Sequence, residues 1–257
     1  MHPWNIAHRG GAQLMPENTL AAFADAQARG CDGAELDVQL TADGQVVLHH
    51  DFRLKADLAR EDGVWLNAPG PRIKDLTYAQ LQRFDVGTAR SGSDYARTHP
   101  LLKPLDAPVP LLGEVLARTD FRLLVELKCD ASEDSADPAA LADAAYDVCA
   151  GRDNIVFVGF DWRALMRIRE RDANAECWFT TDRLSGDVRP VIDAIADAGG
   201  RGWFSHFADA APDAVAYARG KGLKVSAWTV NQPADMRRLM DLDALCTDRP
   251  DLLAALA

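Results

Sequence analysis

Gly33-Ala34-Glu35-Leu36-Asp37-Val38-Gln39-Leu40 is the stretch whose reading decides the fold. It reads as a β-strand, and side chains alternate across a strand, so Glu35 and Asp37 share one face. Two carboxylates buried on one face repel each other and lose hydration, which is expensive unless a cation or an arginine lies between them. The alternative is that they face solvent or pair with Arg9. Arg122–Lys128 repeats the design: the apolar run Leu123-Leu124-Val125 leads into Glu126-Leu127-Lys128, placing Glu126 and Lys128 on one face. A third carboxylate can then meet the first two. Three carboxylates make a hard, all-oxygen site suited to one divalent cation, Mg²⁺ or Ca²⁺ rather than zinc. Lys128 adds a positive charge for a bound anion.

Outward from these two segments, the same kind of strand recurs at Asn5–His8, Asn154–Phe160, Glu176–Thr181, Gly202–Phe207, Lys224–Val230 and Ala244–Thr247, giving eight in all. Helical patterns separate most of them: Thr19–Arg29, Leu111–Arg118, Pro138–Ala150, Trp162–Arg171, Val188–Ala198, Pro212–Arg219 and Ala234–Met240, with Asp251–Leu256 closing the chain. Alternation of this kind implies a parallel sheet. Eight repeats in 257 residues predict a closed (β/α)8 TIM barrel, a fold of about 250 residues. No GxGxxG follows the first strand, which removes support for a dinucleotide-binding sheet. One stretch breaks the rhythm. Val46–His50 reads as a strand folded back on the second barrel strand across Asp43-Gly44. Residues 52–110, rich in Gly, Pro and charge, then read as an insertion on the C-terminal face of a single domain, where long loops shape a substrate mouth.

The formal net charge is -11, with 48% hydrophobic and 26% charged residues. Such a chain repels the phosphate backbone, so nucleic acid is an unfavourable partner, as is stable docking on an anionic membrane. A small anionic substrate then needs a locally positive site. The five cysteines are scattered with no CxxC pair, which favours a reducing compartment. With no signal-peptide pattern and no bilayer-length apolar run, the expected location is cytoplasmic. Oligomeric state is left open.

In a barrel of this type reactive groups sit at the C-terminal ends of strands. The first strand ends in His8-Arg9-Gly10-Gly11, where Arg9 offers a planar fork for phosphate oxygens and the glycines allow close backbone approach to a ligand. His49-His50-Asp51 closes the extra hairpin; only one of the two histidines can point inward, and His50 is favoured, with Asp51 to orient it. Asn18 or Thr19 suits a helix N-cap, whereas Glu17 has no capping role and is read as supporting the site. Trp228, in Trp228-Thr229-Val230-Asn231, suits either core or pocket wall. Asp248 reads as a cap before Pro250.

Together these segments resemble the glycerophosphodiester phosphodiesterase family: Ile6-Ala7-His8-Arg9-Gly10, Pro16-Glu17-Asn18-Thr19, Glu35-Leu36-Asp37-Val38, His50-Asp51, Glu126-Leu127-Lys128, Trp228-Thr229-Val230-Asn231 and Thr247-Asp248 run in family order from residue 6 to 248. The resemblance implies Glu35, Asp37 and Glu126 as metal ligands and His8 and His50 as the catalytic pair. It implies Arg9 and Lys128 as phosphate contacts, Trp228 as a pocket wall and Glu17 as a site residue. Many members follow His-Asp with Leu-x-Arg-Thr-Thr; here Asp51-Phe52-Arg53-Leu54-Lys55 departs, which bears on the insertion and the alcohol end of the pocket. The implied activity is hydrolysis of a small glycerophosphodiester to glycerol 3-phosphate and an alcohol such as choline or ethanolamine, with His8 as base and His50 as acid. The alternatives are a lysophospholipase D or sphingomyelinase-D-like enzyme on the same core, a metal-dependent sugar isomerase, and a barrel that binds phosphodiesters without turnover.

Overall fold

The computed structural model describes residues 2–256. The chain opens with β1 (Trp4–Ala7), makes one 3₁₀ turn at His8–Gly10 and enters α1 (Leu20–Ala28). β2 (Gly33–Leu40) turns through Gly44, at φ +76°, and pairs antiparallel with β3 (Val46–Leu48). Next come β4 (Arg60–Glu61), β5 (Val64–Trp65), α2 (Tyr78–Leu81), β6 (Phe84–Asp85), α3 (Asp94–Thr98), α4 (Leu112–Leu116) and β7 (Arg122–Leu127). Regular alternation then resumes with α5 (Pro138–Val148), β8 (Ile155–Gly159), α6 (Trp162–Arg171), β9 (Cys177–Thr180), α7 (Arg189–Asp197) and β10 (Gly202–His206). It ends with α8 (Pro212–Gly220), β11 (Lys224–Trp228), α9 (Pro233–Arg238), β12 (Ala244–Thr247) and α10 (Pro250–Ala254).

β1, β2 and β7 through β12 form a closed ring of parallel strands, in which β1 pairs with both β12 and β2. This is the expected (β/α)8 barrel. Several strands stop one or two residues earlier than the sequence pattern suggests: His8, Lys128, Phe160 and Thr181 leave the ladder to enter the loops of the C-terminal mouth. Five helices carry a proline in their first turn, where its missing N–H is not needed.

Alternation along the strands decides which side chains fill which layer. Ala34, Leu36 and Val38 of β2, with Leu123, Val125 and Leu127 of β7, pack between barrel and helices. Leu124 instead belongs to the barrel interior with Ile6, Val158 and Phe204. Glu35, Asp37 and Glu126 occupy the alternate positions and face inward, and Asp37 lies opposite Glu126 in the β2–β7 register. The N-terminal end of the interior is closed by Trp4 stacked on Trp178, centroids 5.8 Å apart, with the Arg122 guanidinium 3.5 Å from the Trp4 ring centroid.

Residues 52–110 have a small core of their own, including Leu54, Ile73, Leu81 and Phe84. Contacts that tie them to loops following barrel strands include Arg53, which grips Asp134 through Nε at 2.6 Å and Nη2 at 2.8 Å, and the Tyr95 hydroxyl, which donates to Glu17 at 2.6 Å. Gly10, expected to admit a ligand, serves packing instead: at φ +84° a Cβ there would lie 2.6 Å from the Ala22 Cβ, so it lets the first loop settle on α1. Among the described residues no helix is long and apolar enough to cross a membrane.

Candidate active site

The three inward carboxylates converge. Glu35, Asp37 and Glu126 are all buried, and each offers an oxygen within 4.8 Å of the other two. Glu35 Oε1 and Asp37 Oδ1 are buried without a hydrogen-bond partner. Burial, and then the charges of Asp37 and Glu126, push the Glu35 carboxyl well above the usual carboxylate range. Buried acceptors left unsatisfied among like charges are costly. A dication bound by oxygen ligands would satisfy them, so the donor set fits Mg²⁺ or Ca²⁺.

The remaining coordination of these acids is supplied by the loops. Asn18, at φ +55°, donates to Asp37 Oδ2 at 2.8 Å and accepts from the Asp37 amide at 3.2 Å. Thr19, not Asn18, is the cap of α1, accepting from the Ala22 amide. The Arg9 amide donates to Glu35 at 3.0 Å, while its guanidinium bonds Glu17 at 3.1 Å and lies 3.2 Å from Asp37. Burial alone would weaken Arg9 as a cation, but Asp37, Glu17 and Glu35 outweigh it and hold the guanidinium charged. Burial likewise opposes ionisation of Glu17, yet Arg9 and the Tyr95 hydroxyl keep its carboxyl below the ordinary range. Lys128 donates to Glu126 at 2.7 Å and lies 3.7 Å from Asp37. Burial would discharge it, but the two acids raise its affinity for the proton.

Both candidate histidines reach the same cavity. It measures about 260 Å³, and His8, Arg9, Glu35, His50, Glu126 and Lys128 form its polar wall. Phe160, Phe204 and Trp228 form the apolar wall, with the Phe160 and Trp228 rings edge to face at 5.1 Å. His50 lines the cavity, whereas His49 is buried elsewhere. His50 Nδ1 meets Asp51 Oδ1 at 2.6 Å, the orienting pair the sequence suggests. The His50 loop is held by Gln39, whose side-chain amide donates to the carbonyls of His49 and Asp51 at 2.7 Å each. His8 Nδ1 meets Asp248 Oδ1 at 2.6 Å, and its Nε2 lies 3.8 Å from Glu35. Asp248 is therefore not a helix cap: the cap position of α10 is Arg249, which makes no capping bond with its side chain. Asn231 donates to Asp248 Oδ2 at 2.6 Å and accepts from the Asp248 amide at 2.9 Å, fixing the carboxylate from behind. Burial opposes charge on Asp248, but His8 and Asn231 keep its carboxyl below the ordinary range.

The sequence singles out nine residues, of which seven line this cavity; Asp37 completes the triad from a fully buried position, and Glu17 meets the site through Arg9. It missed Gln39, Asn231 and Tyr95. Gln39 was accessible by parity with Glu35 and Asp37, and Asn231 by its place just past the end of β11. Nothing local marks Tyr95.

Fold and site define the class: a (β/α)8 enzyme whose mouth combines an acidic triad able to hold a hard cation, two oriented imidazoles and two held cations, a setting suited to a phosphate ester. The chain belongs to the glycerophosphoryl diester phosphodiesterase family, which it matches over residues 8–252. It is 27% identical to a glycerophosphodiester phosphodiesterase of Caldanaerobacter subterraneus, across 96% of this chain and 95% of that one. A solved Silicibacter pomeroyi protein, itself a candidate glycerophosphoryl diester phosphodiesterase, is 33% identical with a TM-score of 0.88 over 98% of this chain and 92% of that one. An Oleispira antarctica phosphodiesterase solved with sn-glycerol-3-phosphate shares the fold, with a TM-score of 0.78 at 24% identity over 99% of this chain and 96% of that one.

Proposed function

We propose that the protein hydrolyses glycerophosphodiesters to glycerol 3-phosphate and an alcohol, with His8 as general base and His50 as general acid. The observation that carries this reading is the opening of both imidazoles, Arg9, Lys128, Glu35 and Glu126 onto one cavity of about 260 Å³, with the buried Asp37 completing the acidic triad beside it. Family membership supports the same substrate class.

A phosphodiester resists attack because its charge repels nucleophiles and its alkoxide leaves poorly. Glu35, Asp37 and Glu126 would hold a divalent cation, which when bound supplies neutralisation of charge growing on the phosphoryl oxygens. Lys128 and the pocket-facing edge of Arg9 attract the diester into the same place. Asp248 holds His8 Nδ1 as a donor, which leaves Nε2 to accept a proton from the nucleophile. That nucleophile is water or the neighbouring glycerol hydroxyl. His50, oriented by Asp51, gives its proton to the departing oxygen. A cavity of about 260 Å³ matches a small head group better than a lipid with its acyl chain, which disfavours the lysophospholipid and sphingomyelin readings. Scattered, buried cysteines support a cytoplasmic setting as part of the proposal.

The test uses leaving groups of different basicity. His50→Ala should slow release of an alkyl alcohol far more than release of a nitrophenolate, which leaves without a proton. Equal losses on both substrates would remove His50 from the acid role.

A further inference from the structure

Each acid of the triad has one oxygen tied to the protein. Glu35 Oε2 accepts from the Arg9 amide at 3.0 Å, Asp37 Oδ2 from the Asn18 side chain at 2.8 Å, and Glu126 Oε1 from Lys128 Nζ at 2.7 Å. The second oxygens of Glu35 and Asp37 are buried without a hydrogen-bond partner. Lys128 Nζ lies 3.7 Å from the free Asp37 Oδ1, too far to bond it. The protein thus takes one oxygen from each acid and leaves the other to a ligand.

Asn18 makes this division rigid at Asp37. It is buried and sits at φ +55°, a left-handed conformation that asparagine tolerates better than most residues. Its amide donates to the Arg9 carbonyl at 3.0 Å, which ties the end of the loop back to its start. Its side chain holds Asp37 twice: Nδ2 donates to the carboxylate, and Oδ1 accepts from the Asp37 amide at 3.2 Å. The second bond fixes which way round the Asn18 side chain lies, because a flipped amide would set donor against donor. Asp37 cannot then turn Oδ2 into the triad without leaving a buried donor unpaired. Arg9 Nε, 3.2 Å from the same oxygen, adds positive charge on that side.

We propose, resting on the reading of the triad as a divalent-cation site, that these ties make the site selective for Mg²⁺ over Ca²⁺, with Asn18 as the positioning residue that enforces the choice at Asp37. Ca²⁺ takes about six to eight oxygens and readily draws two from one carboxylate. Mg²⁺ is smaller and keeps several waters, so it needs fewer oxygens from the protein. Acids with one oxygen each to give suit the smaller ion and starve the larger. Releasing Asp37 Oδ2 would loosen the carboxylate for both ions but offer an extra oxygen, from which Ca²⁺ gains more.

The experiment is calorimetric titration of Mg²⁺ and of Ca²⁺ into the metal-free protein, wild type and Asn18→Gly, with no substrate present. Glycine accepts φ +55° without strain, so the variant removes the side chain and keeps the backbone path. Wild type should bind Mg²⁺ more tightly than Ca²⁺. Asn18→Gly should weaken Mg²⁺ about tenfold or more, the usual cost of losing a partner behind a metal ligand. Ca²⁺ should lose less, so that the preference for Mg²⁺ falls about threefold or more. Thermal melts without metal check that the variant is folded, and the wild-type comparison tests the assignment even where it is not. Tighter binding of Ca²⁺ by wild type, or a preference that a folded Asn18→Gly leaves unchanged, overturns the selectivity while the cation site stands. Binding of neither ion, or binding that Glu35→Gln leaves untouched, sinks the cation reading and the selectivity with it.

Discussion

Asp248→Asn should cripple the enzyme more severely than Asp248→Ala, and the reason lies in the hydrogen-bond network behind His8. Asn231 Oδ1 accepts from Thr247 Oγ1 at 3.1 Å and from the Asp248 amide at 2.9 Å, so its amide cannot flip without losing both. Its Nδ2 is thereby fixed as the donor to Asp248 Oδ2 at 2.6 Å. An asparagine introduced at 248 must put its carbonyl oxygen toward Asn231 and its NH₂ toward His8. The atom facing His8 Nδ1, now 2.6 Å away, changes from acceptor to donor. His8 must then accept at Nδ1 and carry its proton on Nε2, the atom proposed to act as base. In Ser-His-Asp triads an Asp→Asn change of this kind lowers kcat by about 10⁴. Here His8 and Asp248 keep 16% and 13% exposure, and water can relieve part of the constraint. The expected loss is about 10³-fold in kcat, about 4 kcal/mol of transition-state stabilisation. Asp248→Ala removes the orienting bond without imposing the wrong tautomer, and should cost about 10²-fold or less. The assay is kcat on a glycerophosphodiester at saturating Mg²⁺, with the His8 tautomer read by ¹⁵N chemical shifts. Asp248→Asn retaining activity within tenfold of wild type, or Asp248→Ala proving the worse of the two, would refute the tautomer argument.

The other predictions are briefer. Exhaustive chelation should abolish turnover, and Mg²⁺ or Ca²⁺ at 100 times its Kd should raise stability by about 2.7 kcal/mol in thermal melts; a shift that persists in Glu35→Gln would place the ion elsewhere. Tyr95→Phe leaves Glu17 Oε2 short of its 2.6 Å donor in a buried setting and should cost about 1–3 kcal/mol in denaturant unfolding. Because Glu17 holds Arg9, KM should rise with it. Asp85 lies in β6; partial burial opposes its charge, but the amides of Ala107 and Gly87 and the Arg60 guanidinium hold its carboxyl below the ordinary range. A carboxyl with a depressed folded pKa contributes fully above its unfolded value of about 3.9, and the contribution disappears as pH falls through the folded value. Asp85→Asn should therefore flatten the loss of Tm between pH 5 and pH 3, estimated as roughly the range bracketing that window; identical slopes in both proteins would rule this out.

What the sequence reveals depends on whether a residue's role follows from side-chain direction or from a distant partner. The triad follows from direction: alternation in β2 and β7 points Glu35, Asp37 and Glu126 inward, and parallel pairing brings Asp37 beside Glu126. Asn18 and Asp248 were obscured because a short polar residue before a helix already has a sufficient local explanation as a cap. The two cases differ in how far sequence reasoning can go. In a closed eight-stranded barrel the first and last strands must be neighbours, and here Ala7 lies opposite Thr247 in the ladder. The residues one step beyond are His8 and Asp248, so barrel closure carries the information that the acid meets the imidazole, even across 240 positions of sequence. Tyr95 has no such route. It reaches Glu17 from α3, within a segment whose path is set by its own small core around Leu54, Ile73 and Phe84 rather than by the barrel's periodicity. The barrel's geometry fixes which residues face the cavity, while the course of residues 52–110 decides what stands behind Arg9. That division makes the part outside the repeating strand–helix pattern the place where relatives with the same core have freedom to differ.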